Sequence, residues 1–151
     1  MFKLSARSLK ALEGVHPDLV KWVKATLAHS SVDFVVIEGL RTEARQKELV
    51  ASGASQMMNS RHLTGHAVDL AAWVGAIRWD MGLYYRIAEA GQKACDETGV
   101  PIRWGGSWSR LDTSDAPPDQ MVADYVAARR KAGKKSFVDA GHFELSSAHY
   151  P

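Results

Sequence analysis

The chain has 151 residues with a hydrophobic fraction of 46%, enough to fill one core but too little for two cores of useful size. We therefore expect one domain that covers residues 1–151. The formal net charge of +2 is mild, so composition does not favour a nucleic-acid partner. A single cysteine, Cys95, excludes an internal disulfide and any metal site built from several thiolates.

The termini and the charge distribution suggest no membrane insertion. No apolar run approaches the roughly 18 residues of a membrane-spanning helix. Residues 1–10 alternate basic and apolar side chains and lack the apolar core of a signal peptide. Basic side chains gather only in residues 129–135, where a solvated helix end is favoured and contact with an anionic partner such as cell wall or nucleic acid is the alternative.

Apolar periodicity and capping residues predict four helices. Pro17 suits a first helical turn, Thr42 is a candidate N-cap with Gly53 as the stop, and Gly99 closes the longest helix. The predicted helices cover residues 16–30, 43–52, 79–98 and 119–132. Cys95 belongs to the apolar pattern of the third helix, so we expect it to be a buried small hydrophobe.

Short apolar runs between these helices predict the strands. They cover residues 33–40, 67–73, 102–104 and 142–145, and a polar loop over residues 54–65 leads into the second of them. Helices and strands therefore follow one another in irregular order. This order predicts an α+β fold with a small antiparallel sheet flanked by helices.

Potential metal ligands are concentrated in two stretches, residues 60–69 and 139–144. His62 and Asp69 lie seven residues apart, and a turn at Gly65 followed by a strand would let their side chains converge. With His142 they would form a set of two imidazoles and one carboxylate that leaves a fourth position for water, as in catalytic zinc sites. Asp139 would then be free to act as a base. On spacing alone, hydrogen-bonded or exposed histidines are the alternative.

Residues 60–69 (SRHLTGHAVD) match the S-x-H-x-x-G-x-A-x-D signature of the D-alanyl-D-alanine carboxypeptidase family, and residues 139–142 match its (D/E)-x-x-H element. The chain most resembles the compact phage endolysins of this family, the L-alanyl-D-glutamate peptidases. The resemblance extends through residues 34–42 and 102–108 and covers most of the chain. It implies a hedgehog/DD-peptidase-like fold.

The resemblance also implies the roles of individual residues. His62, Asp69 and His142 resemble the ligands of Zn2+, and Asp139 resembles the catalytic carboxylate. Arg41 is similar to the family arginine that holds the substrate or the developing oxyanion, with a surface ion pair as the alternative. The implied partner is the stem peptide of peptidoglycan, cut between L-alanine and D-glutamate by metal-activated water.

Two other functions are alternatives to the endolysin interpretation. One is a D,D-carboxypeptidase that removes terminal D-alanine, and the other is a non-catalytic binding module that keeps the metal fold. An endolysin would be a monomer, made in the host cytoplasm, that reaches the periplasmic cell wall after release through a lesion made by another protein.

The other candidate residues are assigned supporting positions. Glu144 is expected to contact a ligand or Arg41, and Trp104 and Trp108 are expected in the core or at the rim, with substrate contact as the alternative. Four histidines are expected outside the ligand set: His16, His29, His66 and His149.

Overall fold

The computed structural model describes residues 1–55 and 58–151. Its helices are α1 (Ala6–Ala11), α2 (Pro17–His29), α3 (Glu43–Ala51), α4 (Met81–Thr98) and α5 (Pro118–Lys131), with a short 3-10 helix at Arg61–Thr64. Its strands are β1 (Asp33–Glu38), β2 (Ala67–Trp73), β3 (Ile77–Arg78), β4 (Ile102–Trp104), β5 (Ser109–Arg110) and β6 (His142–Leu145). Every strand pairing within these residues is antiparallel, and the sheet has the order β1-β2-β6-β4-β5 with β3 beside β2. The α+β prediction with a small antiparallel sheet is confirmed.

The sheet buries one of its faces in the hydrophobic core. Val68, Leu70 and Ala72 on β2 have no exposed surface and share the core with Trp22 of α2 and Ile87 of α4. Burial of each large aliphatic or aromatic side chain contributes about 1.5–3 kcal/mol. Because side chains alternate along a strand, the residues between these three point to the opposite face, which is therefore free to carry polar groups.

The predicted helices and strands are all present, and their ends differ from the predicted ends by no more than two residues. The sequence did not predict α1, β3, β5 or the 3-10 helix inside the loop 54–65. These elements are too short to show a hydrophobic period, and tertiary contacts with segments distant in sequence stabilise them. In α1, for example, the Ser8 hydroxyl accepts a hydrogen bond from the Val36 N–H of β1 at 2.9 Å. Gln56 and Met57, also in that loop, lie outside the described residues.

Two further expectations concern Cys95 and the basic residues near the end of α5. Cys95 is 3% exposed, and burial raises the pKa of its thiol to about 12, so it packs as a small hydrophobe as predicted. The basic residues of the last turn of α5 are Arg129, Arg130 and Lys131, where cations interact favourably with the helix dipole. No helix in the described part of the chain is long and apolar enough to cross a membrane.

The contact between α2 and α4 predicts opposite effects for two glycines of α4. A Cβ on Gly91 would lie 2.8 Å from a ring carbon of Trp22, whereas a Cβ on Gly82 would meet nothing within 4 Å. Both Gly→Ala changes improve helix propensity, but only Gly91→Ala overpacks the core. We expect Gly82→Ala to be neutral or stabilising and Gly91→Ala to be less stable than Gly82→Ala by about 1–3 kcal/mol in urea unfolding. Equal midpoints for the two variants would contradict the observed packing.

Candidate active site

Strand pairing brings Asp69 and His142 to the same place. β2 and β6 are antiparallel, with Asp69 directly opposite His142 and Val68 opposite Phe143. Residues that face each other in this way have Cβ atoms about 4.5–5.5 Å apart on one face of the sheet. A slip of one residue would move Asp69 into the core and Val68 out of it, so the hydrophobic effect holds this register.

His62 reaches the same face from the 3-10 helix that precedes β2. The Ser60 hydroxyl caps this helix by accepting a hydrogen bond from the His62 N–H at 3.2 Å. Gly65 ends the helix with φ of 73°, and a Cβ there would lie 2.5 Å from the carbonyl oxygen of Gly14. Only glycine combines this backbone conformation with so close an approach. The predicted turn at Gly65 is confirmed, and it directs His62 back over Asp69.

The three predicted ligands converge. One ligand atom from each of His62, Asp69 and His142 lies within 4.8 Å of the other two. Oδ1 of Asp69 is 3.1 Å from Nε2 of His62 and 3.1 Å from Nδ1 of His142. Tetrahedral zinc with bonds of roughly 2.0–2.1 Å would separate its ligand atoms by roughly 3.3 Å. The spacing and the nitrogen and oxygen donors of this group therefore fit a zinc ion.

Each imidazole is oriented by a second hydrogen bond. The Gly39 carbonyl lies 2.8 Å from Nδ1 of His62, and since a carbonyl only accepts, Nδ1 carries a proton and Nε2 is the nitrogen turned toward Asp69. Nε2 of His142 lies 2.8 Å from Oε1 of Glu144, which leaves Nδ1 turned toward Asp69. Glu144 thus contacts a candidate ligand and not Arg41, which decides between its two predicted partners. Such outer contacts are typical of histidines that bind metals.

The carboxylates of this site set the proton affinity of His142. Burial by itself would lower the pKa of this imidazole, but the hydrogen bonds to Asp69 and Glu144 outweigh burial and raise the pKa to about 9. Burial would raise the pKa of Asp69, yet the hydrogen bonds from His142 and His62 hold that pKa well below its usual range. Asp69 is therefore an anion across the physiological pH range, as a metal ligand must be.

Asp139 lies beside this group in the loop before β6. Its backbone carbonyl accepts a hydrogen bond from the His142 N–H at 3.1 Å, which confirms the predicted bend between the two residues. Burial and the negative charge of Asp69 raise the pKa of the Asp139 carboxyl. Within residues 1–55 and 58–151 no hydrogen bond to this carboxylate is found. It is thus close to the candidate ligands and free to interact with a substrate or water.

Arg41 is buried behind Asp69 and engaged by the protein. Its guanidinium donates to Glu38 at 2.8 and 2.9 Å, to Gln46 at 2.7 Å and to Oδ2 of Asp69 at 3.1 Å. These bonds use four of its five N–H groups. The alternative to substrate contact, a surface ion pair, is wrong in its location, because the ion pairs of Arg41 are buried, and they support the carboxylate of Asp69. Contact of Arg41 with a substrate stays a prediction.

Sequence reasoning missed the two residues that hold Arg41. Glu38 ends β1 three residues before Arg41, and Gln46 is the buried residue of α3, whose other residues are exposed or half-buried. A glutamine buried on a largely exposed helix has no signature in a single sequence. Glu38 could have been suspected because it follows a buried strand and lies close to a singled-out arginine.

The other histidines lie outside the ligand group, as predicted. His16 caps α2 by accepting a hydrogen bond from the Asp18 N–H at 3.1 Å, and His29 lies 3.0 Å from Glu97 at the surface. His66 has its Nδ1 2.6 Å from the Thr64 hydroxyl. His149 is exposed.

The burial of Arg41 predicts that its removal is costly for stability. Arg41→Ala would leave Glu38 and Asp69 without their shared cation, and we expect a loss of about 3–5 kcal/mol in denaturant unfolding of the metal-free protein. Arg45 is the matched control, because it pairs with the same Glu38 at 3.6 Å but its side chain is 52% exposed. Arg45→Ala should cost about 1 kcal/mol or less. Equal losses for the two variants would rule out a structural role for the burial of Arg41.

A protein family and a phage protein match this chain over nearly its whole length. Residues 1–146 match the profile of a family described as phage L-alanyl-D-glutamate peptidase. The L-alanyl-D-glutamate peptidase of Escherichia phage T5 is 34% identical over 149 residues, which cover 95% of this chain and 98% of that protein. The peptidase of the same name from Listeria phage A118 is 32% identical over 81 residues, 53% of this chain and 28% of that protein.

A solved structure shows the same similarity in three dimensions. The crystal structure of the Serratia marcescens L-Ala D-Glu endopeptidase ChiX superposes with a TM-score of 0.76 at 38% sequence identity, over 99% of this chain and 94% of that one. The family profile, the phage relative and the structural neighbour all have the same named activity. The chain belongs to the phage L-alanyl-D-glutamate peptidase family.

Proposed function

We propose that this protein is a zinc-dependent endolysin that hydrolyses the bond between L-alanine and D-glutamate in the stem peptide of peptidoglycan. One observation carries the proposal: His62, Asp69 and His142 converge with ligand spacing, and the carboxylate of Asp139 lies close enough to interact electrostatically with all three. The activity of the relatives, L-alanyl-D-glutamate peptidase, identifies the bond. Two imidazoles and one carboxylate leave a coordination position open, which is typical of catalytic zinc.

The side chains divide the chemistry between them. When bound, zinc supplies a Lewis acid that polarises the scissile carbonyl and lowers the pKa of water to about 7. Asp139 takes the proton of the attacking water and returns it to the leaving amine of D-glutamate. A base is most effective when its pKa is near the working pH, so the raised pKa of Asp139 suits this role.

Arg41 contributes through its fixed charge. Its bond to Oδ2 of Asp69 leaves Oδ1 directed toward the two histidines, so the arginine keeps the ligand carboxylate in one orientation. A buried guanidinium behind the site also favours the negative charge that develops on the carbonyl oxygen during attack.

The partner and the setting follow from the same proposal. The protein acts as a monomer on peptidoglycan, without a nucleic-acid partner and without membrane insertion, and its mild positive charge favours approach to an anionic wall. It is made in the host cytoplasm and acts on the periplasmic wall after release.

End-group analysis of digested peptidoglycan tests the bond that is cut. We expect wild-type protein to produce new L-alanine carboxyl ends and D-glutamate amino ends, and Asp139→Asn, which keeps the shape but loses the base, to produce at least 100-fold fewer, as is typical of general bases. Zinc content should stay near one ion per chain in both proteins.

Three outcomes would overturn parts of the proposal. Released D-alanine without new L-alanine ends would identify a D,D-carboxypeptidase. Binding to the wall without new ends would identify a non-catalytic binding module. Undiminished turnover by Asp139→Asn would remove this residue from the reaction.

The raised pKa of His142 predicts the pH dependence of zinc binding. In the metal-free protein the imidazole holds its proton below about pH 9, so zinc must displace that proton at pH 7. We expect the zinc affinity to rise by up to about tenfold per pH unit between neutral pH and about pH 9 and then to level off. Calorimetry at pH 7 in two buffers of different ionisation enthalpy measures the released proton.

Glu144→Gln provides the control for this experiment, because it removes one of the carboxylates that raise the pKa of His142. The levelling-off should then occur at a lower pH. Zinc binding without proton release, at an affinity independent of pH, would show that His142 is not a ligand.

A further inference from the structure

Residues 104–108, which we call the 104–108 turn, have no role in the function proposed above, yet they contact the segment that carries Asp139. The Asp139 N–H donates to the Gly105 carbonyl at 3.0 Å, and the Gly105 N–H donates to the His142 carbonyl at 2.8 Å. A Cβ on Gly105 would lie 2.4 Å from the carbonyl oxygen of Asp139 and 2.9 Å from Cβ of His142. The base and the ligand are therefore both hydrogen-bonded to the backbone of one residue of this turn, Gly105.

Two indoles at the ends of the turn extend this attachment to both sides of Asp139. Nε1 of Trp104 donates to the Ala140 carbonyl at 2.8 Å, one residue after Asp139. Nε1 of Trp108 donates to the Phe137 carbonyl at 2.7 Å, two residues before it. Indole nitrogens only donate and carbonyls only accept, so the direction of both hydrogen bonds is fixed. The loop that carries Asp139 is thus held before, at and after the residue.

Trp108 adopts a backbone conformation that costs free energy. Its φ of 53° is the only positive φ of a residue other than glycine in the described part of the chain. Bulky side chains rarely adopt this conformation, and the surrounding contacts must compensate for it. They include the Phe137 carbonyl, the His142 ring at 5.3 Å and the Arg103 guanidinium at 5.0 Å over the indole.

We propose that the 104–108 turn is the positioning device of the catalytic base, and that Trp108 is the positioning residue that sets the location of Asp139 relative to the zinc ligand His142. The inference rests on the proposed role of Asp139. Trp104 is fully buried and also builds the core, whereas Trp108 lies at the rim and its hydrogen bond to Phe137 serves the Asp139 loop. The effect of Trp108 on activity can therefore be separated from its effect on folding.

Trp108→Phe tests the proposal, because it keeps an aromatic ring beside His142 and removes the N–H that holds Phe137. Misplacement of a catalytic group by about 1 Å can cost up to about 100-fold in rate. We expect kcat on a soluble stem-peptide substrate to fall at least about tenfold, with KM within about twofold and zinc content unchanged. Gly105→Ala, whose Cβ would lie 2.4 Å from the Asp139 carbonyl oxygen and 2.9 Å from Cβ of His142, should lower kcat in the same way.

Trp22→Phe is the matched control. It removes the same kind of bond, from an indole Nε1 to the Gly91 carbonyl at 3.1 Å, but within the core between α2 and α4. We expect this variant to melt at a lower temperature and to keep the kcat of the wild-type protein per folded molecule. A fall in kcat that tracks melting temperature in both variants would reduce Trp108 to a structural residue.

A double-mutant cycle shows whether Trp108 acts through Asp139. Asp139→Glu keeps a carboxylate and measurable activity but moves it by one methylene, so the native position of the base is already lost. Trp108→Phe should then cost less than about threefold in kcat in this background, against at least tenfold in the wild type. Equal factors in both backgrounds would overturn the positioning role. Full activity of Asp139→Asn would instead refute the proposed base and leave zinc binding untouched.

Discussion

The register between β2 and β6 is the constraint on which the site depends. It places Asp69 opposite His142, and it is held by Val68, Leu70 and Phe143 on the other face, all of which are fully buried. Because the side-chain period of a strand is two, the same pairing places the apolar residues in the core and the candidate metal ligands on the open face. The hydrophobic effect therefore supplies most of the free energy that assembles a polar site, and the ligand atoms need only short-range hydrogen bonds to be oriented.

Several charged side chains lie close together at this site, and burying any one of them without an oppositely charged partner would lower the stability of the fold. Asp69 receives hydrogen bonds from both histidines and from Arg41, and Arg41 in turn is neutralised by Glu38. Buried charges of this kind rarely add stability over apolar residues of similar volume, but removal of one member leaves the others uncompensated. The network thus favours one arrangement of the ligands over alternatives. That is the property a metal site requires, because rigid ligands of correct spacing bind an ion without further reorganisation.

Local sequence signals were sufficient for the longer elements. Helix α3 begins after Thr42, whose hydroxyl accepts a hydrogen bond from the Arg45 N–H at 3.1 Å, and α4 ends at Gly99 with φ of 72°, as the capping patterns predicted. The elements that were missed, α1, β3, β5 and the 3-10 helix, have two to six residues, and their stability comes from partners distant in sequence. The hairpin of β2 and β3 illustrates this, since β3 contributes only two residues and its neighbour Tyr84 supplies the hydrogen bonds that secure it.

The sequence by itself determined which residues are predicted to carry the proposed chemistry. His62, Asp69, His142 and Asp139 were predicted from two short motifs, because a metal site needs particular donor atoms and the motifs contain these atoms at the required spacing. Only the tertiary structure decided how these groups are supported. Glu144 is hydrogen-bonded to His142, and the buried Arg41 donates a hydrogen bond to Asp69. The 104–108 turn is hydrogen-bonded to the loop that carries Asp139. Such contacts join segments up to tens of residues apart, and their geometry depends on strand register and core packing, which no local pattern encodes.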